Sequence, residues 1–236
     1  MDGIINLNKP KNITSYDAIR FIKRNFNFSE KIGHAGTLDP LAEGVLIICI
    51  GKATKLSRFF MELEKEYWAK LLLGTVTDTL DLEGKVIEKK DVNVDVNDIE
   101  KVLKEFEGEI EQIPPSVSAI KYKGKPLYKL YRKGVVISPK PRKVYIKEIK
   151  LLKVDLPYVE FKVICSKGTY IRALCRDIGE KLKCGATQAE LIRLRIGPFR
   201  IEDSISLDEV KEKGLENSII PIEKAVGILE KWKSNL

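Results

Sequence analysis

One histidine in 236 residues, two methionines, and four cysteines without a C-x-x-C pair leave little from which to build a transition-metal or redox centre. Cys49, Cys165, Cys175 and Cys184 are scattered and read as reduced, mostly buried thiols. No stretch approaches the ~18 uninterrupted apolar residues of a membrane span. The start, Met1-Asp2-Gly3-Ile4, shows no basic region followed by an apolar stretch, so the sequence predicts no secretory signal and a cytoplasmic setting. Also missing are a G-x-G-x-x-G after a strand, a Walker lysine loop and a G-x-S-x-G elbow. A Ser-His-Asp triad would have to use His34, which has no serine suitably placed beside it.

What is present is charge and a real core. Lysine and arginine number 42 against 34 aspartates and glutamates, a net charge of +8, while 44% of residues are hydrophobic. An excess of this sign points to a polyanionic partner. Basic residues set among aromatics, as in Lys121-Tyr122-Lys123 and Tyr128-Lys129-Leu130-Tyr131-Arg132-Lys133, favour nucleic acid over a membrane face.

The run Gly33-His34-Ala35-Gly36-Thr37-Leu38-Asp39-Pro40-Leu41-Ala42-Glu43-Gly44 organises the rest. Its three glycines and Asp-Pro dipeptide predict a shaped loop rather than a helix or strand. It carries the lone histidine and leads into the apolar run Val45–Ile50. Before it, residues 3–10 read as a strand stopped by Pro10, delivering Lys9 at its end. Thr14 and Asp17 form a capping-box pattern for a helix over 15–26.

After it come a strand near 43–50, a helix near 53–62 and a strand near 65–74 containing Tyr67. An acidic turn at 77–84 contains Asp78 and Asp81, and a helix follows at 96–106. Residues 112–143 are rich in proline, lysine and tyrosine and predict an exposed basic excursion. Two strands near 143–154 and 157–166, a helix near 170–182, a strand at 191–197 and helices near 206–213 and 221–233 complete the chain.

The turn Ser166-Lys167-Gly168-Thr169-Tyr170 joins a strand to a helix through glycine, a geometry that lets backbone donors and a lysine meet an anion. Lys167 is a candidate phosphate contact. Arg172, one helical turn on, would face a phosphate or a buried carboxylate. If it reaches Asp39, the guanidinium would lower that carboxyl's pKa and keep it ionised, which suits a nucleophile.

With those residues in view, the chain closely resembles the TruB-type tRNA pseudouridine-55 synthases. The resemblance rests on Leu7-Asn8-Lys9-Pro10, Gly33 to Pro40, Lys65-Glu66-Tyr67, Thr77 to Asp81, Ile113-Pro114-Pro115, Ser118 to Lys121, Cys165 to Arg172 and Leu191 to Arg195, in that order. It implies an α+β fold with a central, mostly antiparallel mixed sheet flanked by helices. It also implies a cofactor-free and metal-free isomerisation of a T-loop uridine in tRNA, reached by base flipping.

By the same resemblance Asp39 would be the nucleophile and Arg172 its ion-pair partner, while Tyr67 would stack on the flipped base. Asp81 would belong to the polar network, His34 would fill the space the base leaves, and Lys9 and Tyr170 would support the wall. The basic segment 115–143 matches an RNA-clamping insertion, expected to be disordered or displaced without RNA.

Residues 1–205 would be the catalytic domain and 206–236 a short helical extension in place of the RNA-binding PUA domain of many relatives. A monomer needing no protein partner is expected. An RNA-binding or RNA-folding protein with vestigial synthase activity is the competing reading, and a guide-RNA-directed subunit a third. Retention of Asp39, Tyr67 and Arg172 argues against the former.

Overall fold

The computed structural model describes residues 1–234. The chain divides into two compact units, one made of residues 1–67 and 192 onward, the other of residues 68–191.

The first unit opens with β1 (Gly3–Lys9), α1 (Ser15–Asn25), β2 (Ile32–Ala35) and β3 (Glu43–Ile50). A 3-10 turn (Gly51–Leu56), α2 (Ser57–Glu62) and the start of β4 (Lys65–Leu73) follow. The continuous apolar run of β3 is the sign of a strand covered on both faces. Its residues alternate between two cores. Val45, Ile47 and Cys49 pack with Ile4, Phe60, Phe199, Ala225 and Leu229. Leu46, Ile48 and Ile50 pack with Ile5, Leu7 and the α1 stripe Ala18, Ile19 and Ile22. β1 pairs antiparallel with β3 from Gly3↔Ile50 to Lys9↔Gly44, and β2 pairs antiparallel with the same strand from Ile32↔Ile50 to Ala35↔Ile47. The capping box of α1 forms as expected, with Thr14 and Asp17 bonding each other's backbone N–H.

The second unit takes the chain through β4 into β5 (Thr75–Thr77), β6 (Val86–Lys89), α3 (Val96–Lys104) and β7 (Gly108–Gln112). Then come β8 (Lys121–Tyr122), β9 (Lys125–Pro126), α4 (Leu127–Tyr131), β10 (Arg142–Asp155), β11 (Tyr158–Cys165), α5 (Ile171–Lys181) and most of β12 (Ala186–Ile196). Here the strands alternate, as one covered face requires. Val159, Phe161, Val163 and Cys165 of β11 are buried and the residues between them are not. β4, β11, β10 and β7 lie side by side in that order, with β10 antiparallel to both neighbours.

The chain re-enters the first unit in β12 and adds β13 (Phe199–Arg200), α6 (Leu207–Lys213), α7 (Leu215–Ser218), β14 (Ile220–Pro221) and α8 (Ile222–Lys233). β14 pairs with β1, and Ala225 and Leu229 of α8 enter its core, so this segment completes the unit that opens the chain. The end of β12 runs parallel to β3, with Arg193 opposite Gly44. Gly44 has φ +106°, and a Cβ there would sit 2.3 Å from the Arg193 carbonyl oxygen, so only glycine permits this approach. Antiparallel ladders together with the parallel β3–β12 pairing, flanked by helices, make the expected α+β class.

Four expectations are corrected. The glycine-rich run is not loop throughout: Ile32–Ala35 is strand β2, because pairing to β3 outweighs the low strand propensity of Gly33. The helix expected at 53–62 is a 3-10 turn followed by α2. The strand expected at 191–197 begins at Ala186, where burial rather than alternation marks it. Finally, the basic segment has local order, with a β8–β9 hairpin and α4 anchored by buried Leu127.

Candidate active site

In the first unit, the stretch between β2 and β3 carries Asp39, half-buried. Around it lie two buried cations. Lys9, at the end of β1, is wholly buried and donates from Nζ to the carbonyls of Pro10 and Ile13, each at 2.8 Å, and of Pro40 at 3.4 Å. Burial, and then the nearby Arg193 charge, push its pKa down to about 8, while Asp39 and Glu43 oppose that shift. Arg193, 1% exposed, donates to the carbonyls of Val45 at 2.7 Å, Gly36 at 2.8 Å and Thr37 at 3.5 Å.

His34 sits on β2 opposite Ile48, not in the loop proper. Burial and the Arg193 charge lower its pKa, which keeps the imidazole neutral at neutral pH, and its Nδ1 is buried without a hydrogen-bond partner among the described residues. Tyr67, near the start of β4, is 8% exposed. The start of its strand is pinned by Arg195, whose Nη2 and Nε meet Glu64 at 2.8 Å and Glu66 at 3.0 Å.

In the second unit, Arg172 lies in the first turn of α5, 4% exposed. It forms an ion pair with Asp81 at 3.4 Å and donates to the carbonyls of Thr79 at 2.9 Å and Val117 at 3.0 Å. Asp81, 6% exposed, also accepts from the Thr79 hydroxyl at 2.6 Å and the Glu83 N–H at 3.1 Å. The acidic turn is thus a folded polar network. Tyr170 precedes α5, and Gln112 of β7 holds its peptide from both sides: Tyr170 N–H donates to Oε1 at 2.8 Å, and Nε2 donates to its carbonyl at 3.1 Å. Lys167 is exposed in the preceding turn, where Gly168 takes φ +78°.

The structure therefore groups Lys9, His34, Asp39 and Tyr67 in one unit and Asp81, Lys167, Tyr170 and Arg172 in the other. Sequence reading missed the residues that hold these backbones. Gln112 and Thr79 had no distinguishing spacing. Ser15 and Arg193 did leave a signal, since Ser15 is a polar residue on the buried stripe of α1, and Arg193 shares the inward face of β12 with Leu191. Among the described residues no three histidine, cysteine, aspartate or glutamate side chains gather as a metal site requires. No helix there is long and apolar enough to cross a membrane.

Comparison with known proteins adds the lineage. The family model described as the TruB family pseudouridylate synthase N-terminal domain matches residues 23–171, and that of the tRNA pseudouridylate synthase B C-terminal domain matches 172–227. The tRNA pseudouridine synthase B of Clostridium tetani is 52% identical over 98% of this chain and 80% of its own length. The Thermotoga maritima protein of the same name is 44% identical over 95% of this chain and 72% of its own. Among solved structures, a chain of a Cbf5-Nop10-Gar1 complex superposes with TM-score 0.75 at 34% identity, covering 96% of this chain and 62% of that one, so this chain spans less than two thirds of that relative. With both family models in register along the sequence and a pseudouridine-synthase fold in space, the chain belongs to the TruB family of pseudouridylate synthases.

Proposed function

We propose that the protein converts the T-loop uridine at position 55 of tRNA to pseudouridine. The observation that carries this reading is the family-model match over 23–171, inside which Asp39 sits on a stretch of backbone held by buried donors. The reaction breaks the bond from N1 of the base to C1′ of the ribose, turns the base within the site, and joins C5 to C1′. C5 loses its proton, N1 gains one, and nothing is oxidised or reduced. Such an isomerisation needs no cofactor, and the enzyme acts on tRNA as a cytoplasmic monomer without a protein partner.

Asp39 is the nucleophile in this reading. Extruding the uridine costs a few kcal/mol, and stacking on Tyr67 returns about 1–3 kcal/mol. His34, neutral, fills the gap left in the loop. Asp81 keeps Arg172 oriented, Lys9 and Tyr170 shape the wall, and Lys167 takes a backbone phosphate. The segment 115–143 closes over the RNA.

An unmodified tRNA transcript and an isolated T-arm hairpin, incubated with the protein and mapped at nucleotide resolution, are expected to carry pseudouridine at the T-loop uridine alone. Modification elsewhere, or none, overturns the assignment.

A further inference from the structure

We infer that Ser15 and Arg193 are positioning residues for the Asp39 carboxylate; the inference rests on the reading of Asp39 as the reacting group. The stretch from Gly36 to Pro40 belongs to no ladder, so each of its buried polar groups requires a separate partner. Every carbonyl in it has one. Gly36 and Thr37 accept from Arg193, at 2.8 and 3.5 Å, and Leu38 accepts from the Ser15 hydroxyl at 3.0 Å. Asp39 accepts from the Ala42 N–H at 3.1 Å, and Pro40 from the Asn12 N–H at 2.8 Å and from Lys9.

Ser15 has a second bond to the same residue. Its oxygen accepts the Leu38 N–H at 2.9 Å, so one hydroxyl grips the N–H and the carbonyl of the residue immediately before Asp39. Those two groups flank the Leu38 Cα. Fixing both fixes φ and ψ there, and with them the direction in which the Asp39 side chain leaves the backbone. Ser15 is 1% exposed and stands in the first turn of α1, an element packed into the core through Ala18, Ile19 and Ile22. The grip is therefore set by a rigid element, not by another loop.

Arg193 holds the upstream half. Taking a guanidinium out of water is costly, and the hydrogen bonds that offset this go to three backbone carbonyls. Its Nε bond to Val45 ties the loop to the start of β3, while both terminal nitrogens reach Gly36 and Thr37. The planar fork spans these carbonyls together; an ammonium at the same place would not. A reacting group misplaced by about 1 Å loses roughly 100-fold in rate, so a grip on the neighbouring peptides is a grip on turnover.

Four full-chain variants test this in parallel: Ser15→Ala, Ser15→Thr, Arg193→Lys and Asp39→Asn. The readouts are the single-turnover rate of tritium release from C5-labelled tRNA, the tRNA Kd, and the thermal unfolding midpoint. Ser15→Ala and Arg193→Lys are expected to slow release by roughly 100-fold, with Kd within about threefold, at temperatures well below either midpoint. Ser15→Thr, which keeps the hydroxyl, is expected to recover most of the rate. Unchanged rates in both, a loss carried by Kd, or a Ser15→Thr no better than Ser15→Ala overturns the inference. Should Ser15→Ala fail to fold, Arg193→Lys carries the comparison. An active Asp39→Asn overturns the nucleophile reading and this inference with it, whereas a dead Asp39→Asn beside a normal Ser15→Ala overturns the positioning role alone.

Discussion

Lys9 illustrates how a single buried charge links sequence to pH behaviour. In the unfolded chain its ammonium titrates near 10.4, and in the fold near 8. Between those values the unfolded state binds more protons, so folding stability from this group rises with pH and is lowest below pH 8. The stability of wild type relative to Lys9→Met is therefore expected to increase from pH 7 to pH 10, by on the order of 2 kcal/mol. Urea unfolding of both proteins across that range measures it, and a constant difference contradicts it.

Arg172 supports a second prediction at this scale. Removing its guanidinium leaves Asp81 buried with one ion-pair partner lost, so Arg172→Met is expected to destabilise the protein by roughly 3 kcal/mol. A loss below ~1 kcal/mol in urea denaturation would show the pair to be structurally idle.

The elements show which parts of the sequence could be read and why. β3, α1 and β11 are legible because burial imposes a pattern: a continuous apolar run, a helical stripe behind a capping box, or strict alternation. β2 was not legible, since a glycine and a histidine within four residues carry no pattern and its strand exists only through its partner. The same holds for the residues of the site. Asp39, Lys9 and Arg172 stand in distinctive motifs, whereas the partner of Ser15, a polar residue on the buried stripe of α1, is visible only in its two bonds to Leu38.

The basic segment is mostly exposed, as its composition predicts, but it has local order that composition does not show. Its order comes from a few anchors: Leu127 in a buried slot and the Tyr131 hydroxyl on Asp78 at 2.5 Å. Tyr131→Phe removes that bond at a cost of about 1 kcal/mol or less, and is expected to speed proteolytic cutting within 115–143 without changing the global unfolding midpoint. An unchanged cutting rate would show that the anchor does not hold the segment.

For the molecule as a whole, the net charge of +8 sets the terms of encounter with RNA. Affinity for tRNA is expected to fall at least ~10-fold between 50 and 200 mM salt, as counterion release at several phosphates requires. A flat salt response, read by filter binding, would mean that charge contributes little. The α+β architecture follows from patterning, and membership of the TruB family follows from motifs kept in order along most of the chain.

The central claim is that Asp39 performs the isomerisation. Tritium release from tRNA labelled at C5 of uridine, compared between wild type and Asp39→Asn with tRNA affinity measured alongside, tests it most directly. Release by wild type is expected, and none by Asp39→Asn at undiminished affinity. Release by the variant at a comparable rate, or binding without release by the wild type, would contradict it.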